Sequence, residues 1–238
     1  MRGPEIRIVY SVESRARPES VPLRRGNAGA WAIAALVCFG LSVVTALVLH
    51  VAQAAEVDPI RQVISDYVLS GDTTGFAVCV LTMAAGTGCL PAGLSRAGLP
   101  VTRPMVALGC CWCAGLTLCA FFPTTPTGAP MTFSAEVHRY AGLVLFVSLP
   151  AAAGLFARSA AAHPAHRRLA GRIRRQTRWA WGALAVFLLS QLPVLLAPSR
   201  AFDGPLFQGL TERLVFVVYL VLLGEPALAV LRSERKSC

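Results

Sequence analysis

Nine ionisable side chains suited to site chemistry lie in four separate stretches of the sequence. They are His50; Asp58, Arg61 and Asp66; Glu136, His138 and Arg139; and Glu212 with Arg213. A histidine with two carboxylates, such as His138 with Asp66 and Glu212, is a set that could hold a zinc-like ion and activate water. That is the chemistry of a metal-assisted lipid hydrolase. The same carboxylates beside Arg61 and Arg213 could instead bind or pass a small polar molecule or a lipid headgroup. Groups of this kind at the mouth of a helix bundle also pair with one another, or snorkel to water, with no further role. A structural or assembly subunit would need nothing more. Asp58, Arg61, Asp66, His138, Glu212 and Arg213 are therefore the candidate ligand-binding residues, and no catalytic residue or metal site is assigned. The sequence has no Walker loop, Rossmann fingerprint, G-x-S-x-G or H-E-x-x-H motif, so no cofactor is expected.

These residues need elements to position them, and composition says which kind. Of 238 residues, 55 % are apolar and only 14 % are charged, and the mean hydropathy is +0.60. A soluble domain carries about 25 % charged residues to wet its surface. The chain is thus expected to be an all-α membrane protein. A helix needs about 20 apolar residues to cross a hydrocarbon core about 30 Å thick. Six stretches qualify or nearly so: about 28–52, 75–95, 104–122, 137–157, 178–197 and 210–231. The expected organisation is a basic arm over 1–27, a six-span domain over 28–231 and a short tail over 232–238.

Charge orients this bundle. Eighteen of the 22 Lys and Arg fall in the arm, the connections after spans two and four, and the tail. By the positive-inside rule both termini face the cytoplasm and the protein sits in a plasma membrane. Ala52-Gln53-Ala54 has the form of a signal-peptide cleavage site, but the apolar run before it exceeds the usual length of about 7–15 residues. The five later spans keep their orientation with or without cleavage.

Two outer connections are unusual. After span one, Ile60, Val63, Ile64, Tyr67 and Val68 fall on one stripe of a helix. Asp58 suits its N-cap, Pro59 its first position and Gly71 its end, so a short amphipathic helix on the outer face is expected. It serves either as an interfacial lid or as the wall of a site. The connection from Phe122 to His138 holds three prolines and a glycine and no charge before Glu136, which reads as an ordered turn-rich loop.

The run Asp58-Pro59-Ile60-Arg61-Gln62-Val63-Ile64-Ser65-Asp66-Tyr67, then Phe122-Pro123-Thr124-Thr125-Pro126, then His138 and Gly209-Leu210-Thr211-Glu212-Arg213 resembles the bacterial six-span family catalogued as domain of unknown function 998. The resemblance covers about residues 28–231. Family loops usually end in Asp-Pro, where this chain has Thr125-Pro126. What the resemblance implies is the topology. It implies no activity.

The remaining polar features have plainer readings. Cys110, Cys111 and Cys113 share one helix without a nearby His or Asp, so they are expected to pack as small apolar residues. Cys79 and Cys119 lie at similar depth near the outer ends of spans two and three, which permits a disulfide. Glu225 lies inside span six before Pro226, either near enough to the inner interface to reach Arg232 or placed on a proton path. The arginine-rich connection from 163 to 178 lacks interleaved aromatics for stacking bases, so anionic lipids are the expected partners there and nucleic acid is not. Of the twelve acids, seven fall on the outer side with four basic residues. That net acidic face is where ligand chemistry is to be sought.

Overall fold

Long apolar runs bounded by arginines, prolines and glycines fold into six helices in a computed structural model, which describes residues 27–71, 73–126, 129–196 and 207–235. They are α1 (Ala28–Ala52), α2 (Thr73–Arg96), α3 (Arg103–Phe121), α4 (Phe133–Ala161), α5 (Arg167–Leu196) and α6 (Gln208–Arg235). The described residues contain no strand. Most of the basic arm, the end of span five at Ala197, the outer acids Asp72 and Asp203, and the last three residues of the tail lie outside the described residues.

Five helices, α1, α2, α3, α4 and α6, are long and apolar enough to cross a membrane, as in a multi-pass membrane protein. The helix α5 is not among them, and it begins earlier than the expected fifth span. The segment expected to be a basic connection is already helical from Arg167. Its six arginines (167, 168, 172, 174, 175 and 178) are exposed, whereas Leu169, Ala170, Ile173, Thr177 and Ala180 are buried. A helix is the conformation that separates those two sets onto opposite faces.

Each helix packs against its neighbour in the chain, and α6 closes the ring by packing on α1 while also touching α2 and α4. This central place suits the stripe Glu212, Val215, Tyr219, Leu222, Pro226 and Val230, all buried along one side of α6. On α1 a second buried stripe, Ala28, Ala32, Ala35 and Phe39, meets α2. There α2 comes close because Gly86 has no side chain, and a Cβ would lie 2.6 Å from the Phe39 ring and 3.0 Å from the Ala35 carbonyl. Without a hydrophobic drive between helices in lipid, such small residues let van der Waals packing hold the pair. At mid-depth Trp112 and Tyr219 are buried with their rings 5.6 Å apart. The Trp112 Nε1–H donates to Thr87 Oγ1 at 3.2 Å and the Tyr219 hydroxyl to the Phe146 carbonyl at 2.6 Å.

Two ties hold the arginine-rich end. Glu225 accepts from Arg172 of α5 at 2.9 Å and from Arg232 at 3.5 Å. The expected reach to Arg232 is present, and the partner from α5 is an addition. Glu234 accepts from the Gly29 N–H at 2.6 Å, so the last turn of α6 caps the otherwise unsatisfied start of α1.

Candidate functional site

Residues 53–71, between α1 and α2, form a lid over the end of the bundle. The expected amphipathic α-helix is not what forms there. A turn over 59–62 is followed by a single 3-10 helix, Ile64–Val68. The physical reason is competition for backbone groups. In an α-helix the Pro59 carbonyl would take the Val63 N–H, and the Gln62 carbonyl the Asp66 N–H. Here Arg213 Nη1 donates to both carbonyls, at 2.9 and 2.8 Å, while the Val63 N–H donates to Asp66 Oδ2 at 3.1 Å. Asp58 does organise the start of the turn: its Oδ1 accepts from Ile60 N–H at 2.8 Å, and its carbonyl from Gln62 N–H at 2.8 Å. Of the apolar stripe, Tyr67 and Val68 are buried and Val63 and Ile64 pack against the core, but Ile60 is exposed.

The first turn of α6 latches this lid. Glu212, buried, accepts from the Ile64 N–H, and Leu210 N–H donates to the Ile60 carbonyl at 3.1 Å. Arg213 adds the Gly209 carbonyl at 3.0 Å and the Tyr67 hydroxyl at 2.9 Å, and its guanidinium lies over the Tyr67 ring. The same Tyr67 hydroxyl also shares a hydrogen bond with His50 Nδ1 at 2.9 Å. The approach is tight at Gly209, where a Cβ would stand 2.1 Å from the Gln62 carbonyl oxygen and 2.6 Å from that of Pro59. Only glycine lets lid backbone and helix backbone meet there.

Burial pushes the Asp66 carboxyl up from its ordinary 3.8 to about 6, against the smaller pull of the Val63 N–H and the Arg213 charge. The folded state therefore binds this proton more tightly than the unfolded chain. Its stabilising contribution is complete below about pH 4 and is lost as pH rises through about 6. An Asp66→Asn variant, which keeps an acceptor for Val63, should show a smaller fall in thermal stability between pH 4.5 and 7.5 than the parent. Parallel melting curves for both proteins across that range would contradict this.

The other candidates separate from this latch. Asp58 and Arg61 pair at 3.8 Å with side chains 47 % and 65 % exposed, so they decorate the outside of the lid. His138 belongs to the α3–α4 corner: its Nδ1 lies 2.8 Å from the Phe122 carbonyl, capping the end of α3. The carbonyl can only accept, so Nδ1 carries the proton. Among the described residues no three His, Cys, Asp or Glu side chains come together in a way that could hold a metal. The expected disulfide is also corrected, since Cys79 and Cys119 are free thiols. Equal depth did not mean a shared face. The Cys79 thiol turns to α1, donating to the Ser42 carbonyl at 3.4 Å, whereas the Cys119 thiol turns to the His138 carbonyl of α4 at 3.7 Å.

Beneath the lid lies a cavity of about 340 Å³ between α1, α2 and α6. Its polar end carries His50, Tyr67 and Arg213, and its depth is walled by Ala46, Met83, Leu116, Phe216 and Leu220. Sequence reasoning singled out Arg213 but not this chamber, and it gave Tyr67 only an apolar place. The signal present was the Gly209-to-Arg213 run, whose glycine marks a close backbone approach. Comparison with curated proteins and with solved structures finds no match. The family described as protein of unknown function, DUF998, matches residues 36–229, from the middle of α1 to the last turns of α6. That span holds the lid, the latch and the cavity beneath them, and it is most of the sequence: the chain belongs to the DUF998 family.

Proposed function

We propose that the protein binds a single-chain amphiphile with an anionic head, such as a fatty acid or a lysophospholipid, in the cavity under the lid. The observation that carries this reading is the polarity gradient of the chamber. One end presents the Arg213 guanidinium with His50 and Tyr67, and the remaining wall is almost wholly apolar. A few convergent polar groups at one end of an apolar pocket of at least about 300 Å³ is the usual form of a small-molecule site. Arg213 holds the lid through Nη1 and one Nη2 contact, and a guanidinium has five N–H donors in all, so capacity remains for a carboxylate or phosphate. Of the polar residues read from the sequence, Glu212 and Arg213 latch the lid, and the ligand lies below it. In this reading α5 also crosses the membrane, as the fifth of six spans, the lid faces away from the cytoplasm, and both termini with the arginine-rich end face the cytoplasm of a plasma membrane. The arginines of α5 then meet anionic lipid headgroups.

The lid-end chamber and the chamber at the other end of the bundle share no lining residue, and the lid-end one does not reach Glu225. This favours binding over passage. The hydrolase reading has no metal set among the described residues to support it. The test is photolabelling of the full chain in vesicles with a diazirine-bearing fatty acid. Label is expected on peptides of α1 and α6 facing the cavity, and Ala46→Phe, which fills the chamber, should lower it about tenfold (~1.4 kcal/mol). Equal labelling of the parent and of Ala46→Phe would overturn the proposal.

A further inference from the structure

A second chamber, of about 370 Å³, lies at the arginine-rich end between α2, α3, α4 and α6. We infer that it holds an acyl chain of an anionic phospholipid whose phosphate rests on the arginines at its level. This does not depend on the lid-end site. Three observations carry it.

The first is chemical. Apart from Thr87 and two thiols, every side chain on the wall is apolar, Leu94, Met105, Leu149 and Phe156 among them. Thr87 already accepts from Trp112 and donates to the Met83 carbonyl at 3.0 Å, and the Cys113 thiol faces the Ala84 carbonyl at 3.4 Å. A water molecule needs two to four polar partners, and this wall does not offer them. Hydrocarbon is the occupant that gains dispersion contacts there.

The second is access. Gly88, Val106 and Cys110 line the chamber and are also exposed, so it opens sideways between α2 and α3. That is where acyl chains surround a membrane-spanning bundle. Gly88 and Gly109 face open space, with no atom within 4 Å of where a Cβ would stand.

The third is charge. Arg103 of α3, Arg158 of α4 and Arg174 of α5 stand within about 3 Å of rise of the wall residues Met105, Phe156 and Ile173, at the chamber's level but turned outward from its wall. All three are exposed, and none forms a salt bridge among the described residues. An anionic headgroup at that level meets outward-facing arginines from three different elements. A zwitterionic headgroup gains less there.

The full chain in vesicles containing phosphatidylglycerol or phosphatidylcholine, each bearing a diazirine on one acyl chain, tests this. Label should map to residues 88–94 and 105–113. Phosphatidylglycerol should be preferred by at least about fivefold, the factor that one arginine near a charged surface supplies. Gly109→Phe should reduce that labelling about tenfold without changing label under the lid, and Gly88→Leu, from the opposite wall, should reproduce it should the first variant fold poorly. Arg103→Gln, Arg158→Gln and Arg174→Gln combined should remove the headgroup preference while leaving chain labelling in place. Label spread evenly over the lipid-facing side of α1, equal labelling by the two lipids, or chain-to-chain cross-links in place of lipid adducts would each overturn the assignment.

Discussion

Replacing Arg213 with alanine should release the lid. The carbonyls of Pro59 and Gln62 lose their shared donor, and the Tyr67 hydroxyl loses one of its two partners. Glu212 and Asp66 also lose the cation whose charge offsets theirs. Hydrogen bonds to a charged group are worth about 1.5–3 kcal/mol each, and losing one partner of a buried charged network costs about 3–5 kcal/mol. Arg213 is half-buried, so a loss of about 3 kcal/mol is expected, concentrated in the latch. Amide exchange over 60–69 should then rise about a hundredfold relative to the parent at the same pH. Exchange in α3 and α4, which supply none of the latch hydrogen bonds, should change little. Arg213→Lys should recover only part of the protection, because an ammonium cannot reach two carbonyls and a hydroxyl with the geometry of a planar fork. Unchanged exchange in Arg213→Ala would show that Glu212 and the apolar contacts hold the lid unaided.

The second large effect is expected at mid-depth. Trp112→Ala removes the largest fully buried side chain among the described residues, the ring contact with Tyr219 and the donor to Thr87. In water-soluble proteins a buried Trp→Ala change costs about 3–5 kcal/mol. In a bilayer the separated helices would still keep an indole among acyl chains, so the transfer part of that cost largely cancels. Lost packing and the orphaned hydroxyl remain. About 2–3 kcal/mol is therefore expected, measured as a shift in the midpoint of denaturing-detergent titration. Trp112→Phe keeps most of the ring contact and should cost about 1 kcal/mol, the worth of one hydrogen bond. The alanine variant also opens space between the two chambers, so fatty-acid label under the lid should extend to the Thr87 region. A detergent midpoint within error of the parent would place the stability of the bundle elsewhere.

Both predictions turn on residues whose identities were plain in the sequence but whose partners were not. Arg213 was visible as a charge near a helix start. Its acceptors are two carbonyls some 150 positions earlier in the chain. His138 shows the opposite outcome. Its depth matched that of Asp66 and Glu212, yet it caps α3 and leaves the latch to α6. Depth along a bundle follows from rise per residue, which can be counted along the chain. The direction a side chain takes around its helix, and the neighbour it meets, depend on how six cylinders are arranged. Cys79 and Cys119 illustrate the same limit, being level but turned toward different helices. The basic stretch before α5 shows it again, since a loop by charge density is a helix by the alternation of its exposed and buried sides.

The sequence by itself determined the apolar helices, their approximate limits, the concentration of arginine at one end and the family resemblance. Each of these follows from local composition and periodicity, which act over a few helical turns. Tertiary structure alone decided that the lid is a turn and a 3-10 helix and that Gly209 admits its backbone. It also decided that Arg172 of α5 joins Arg232 on Glu225 and that two separate chambers lie at opposite ends of the bundle. The reason is common to all of these. Backbone carbonyls, buried charges and voids take their character from whichever group packs across from them, and those groups come from distant parts of the chain.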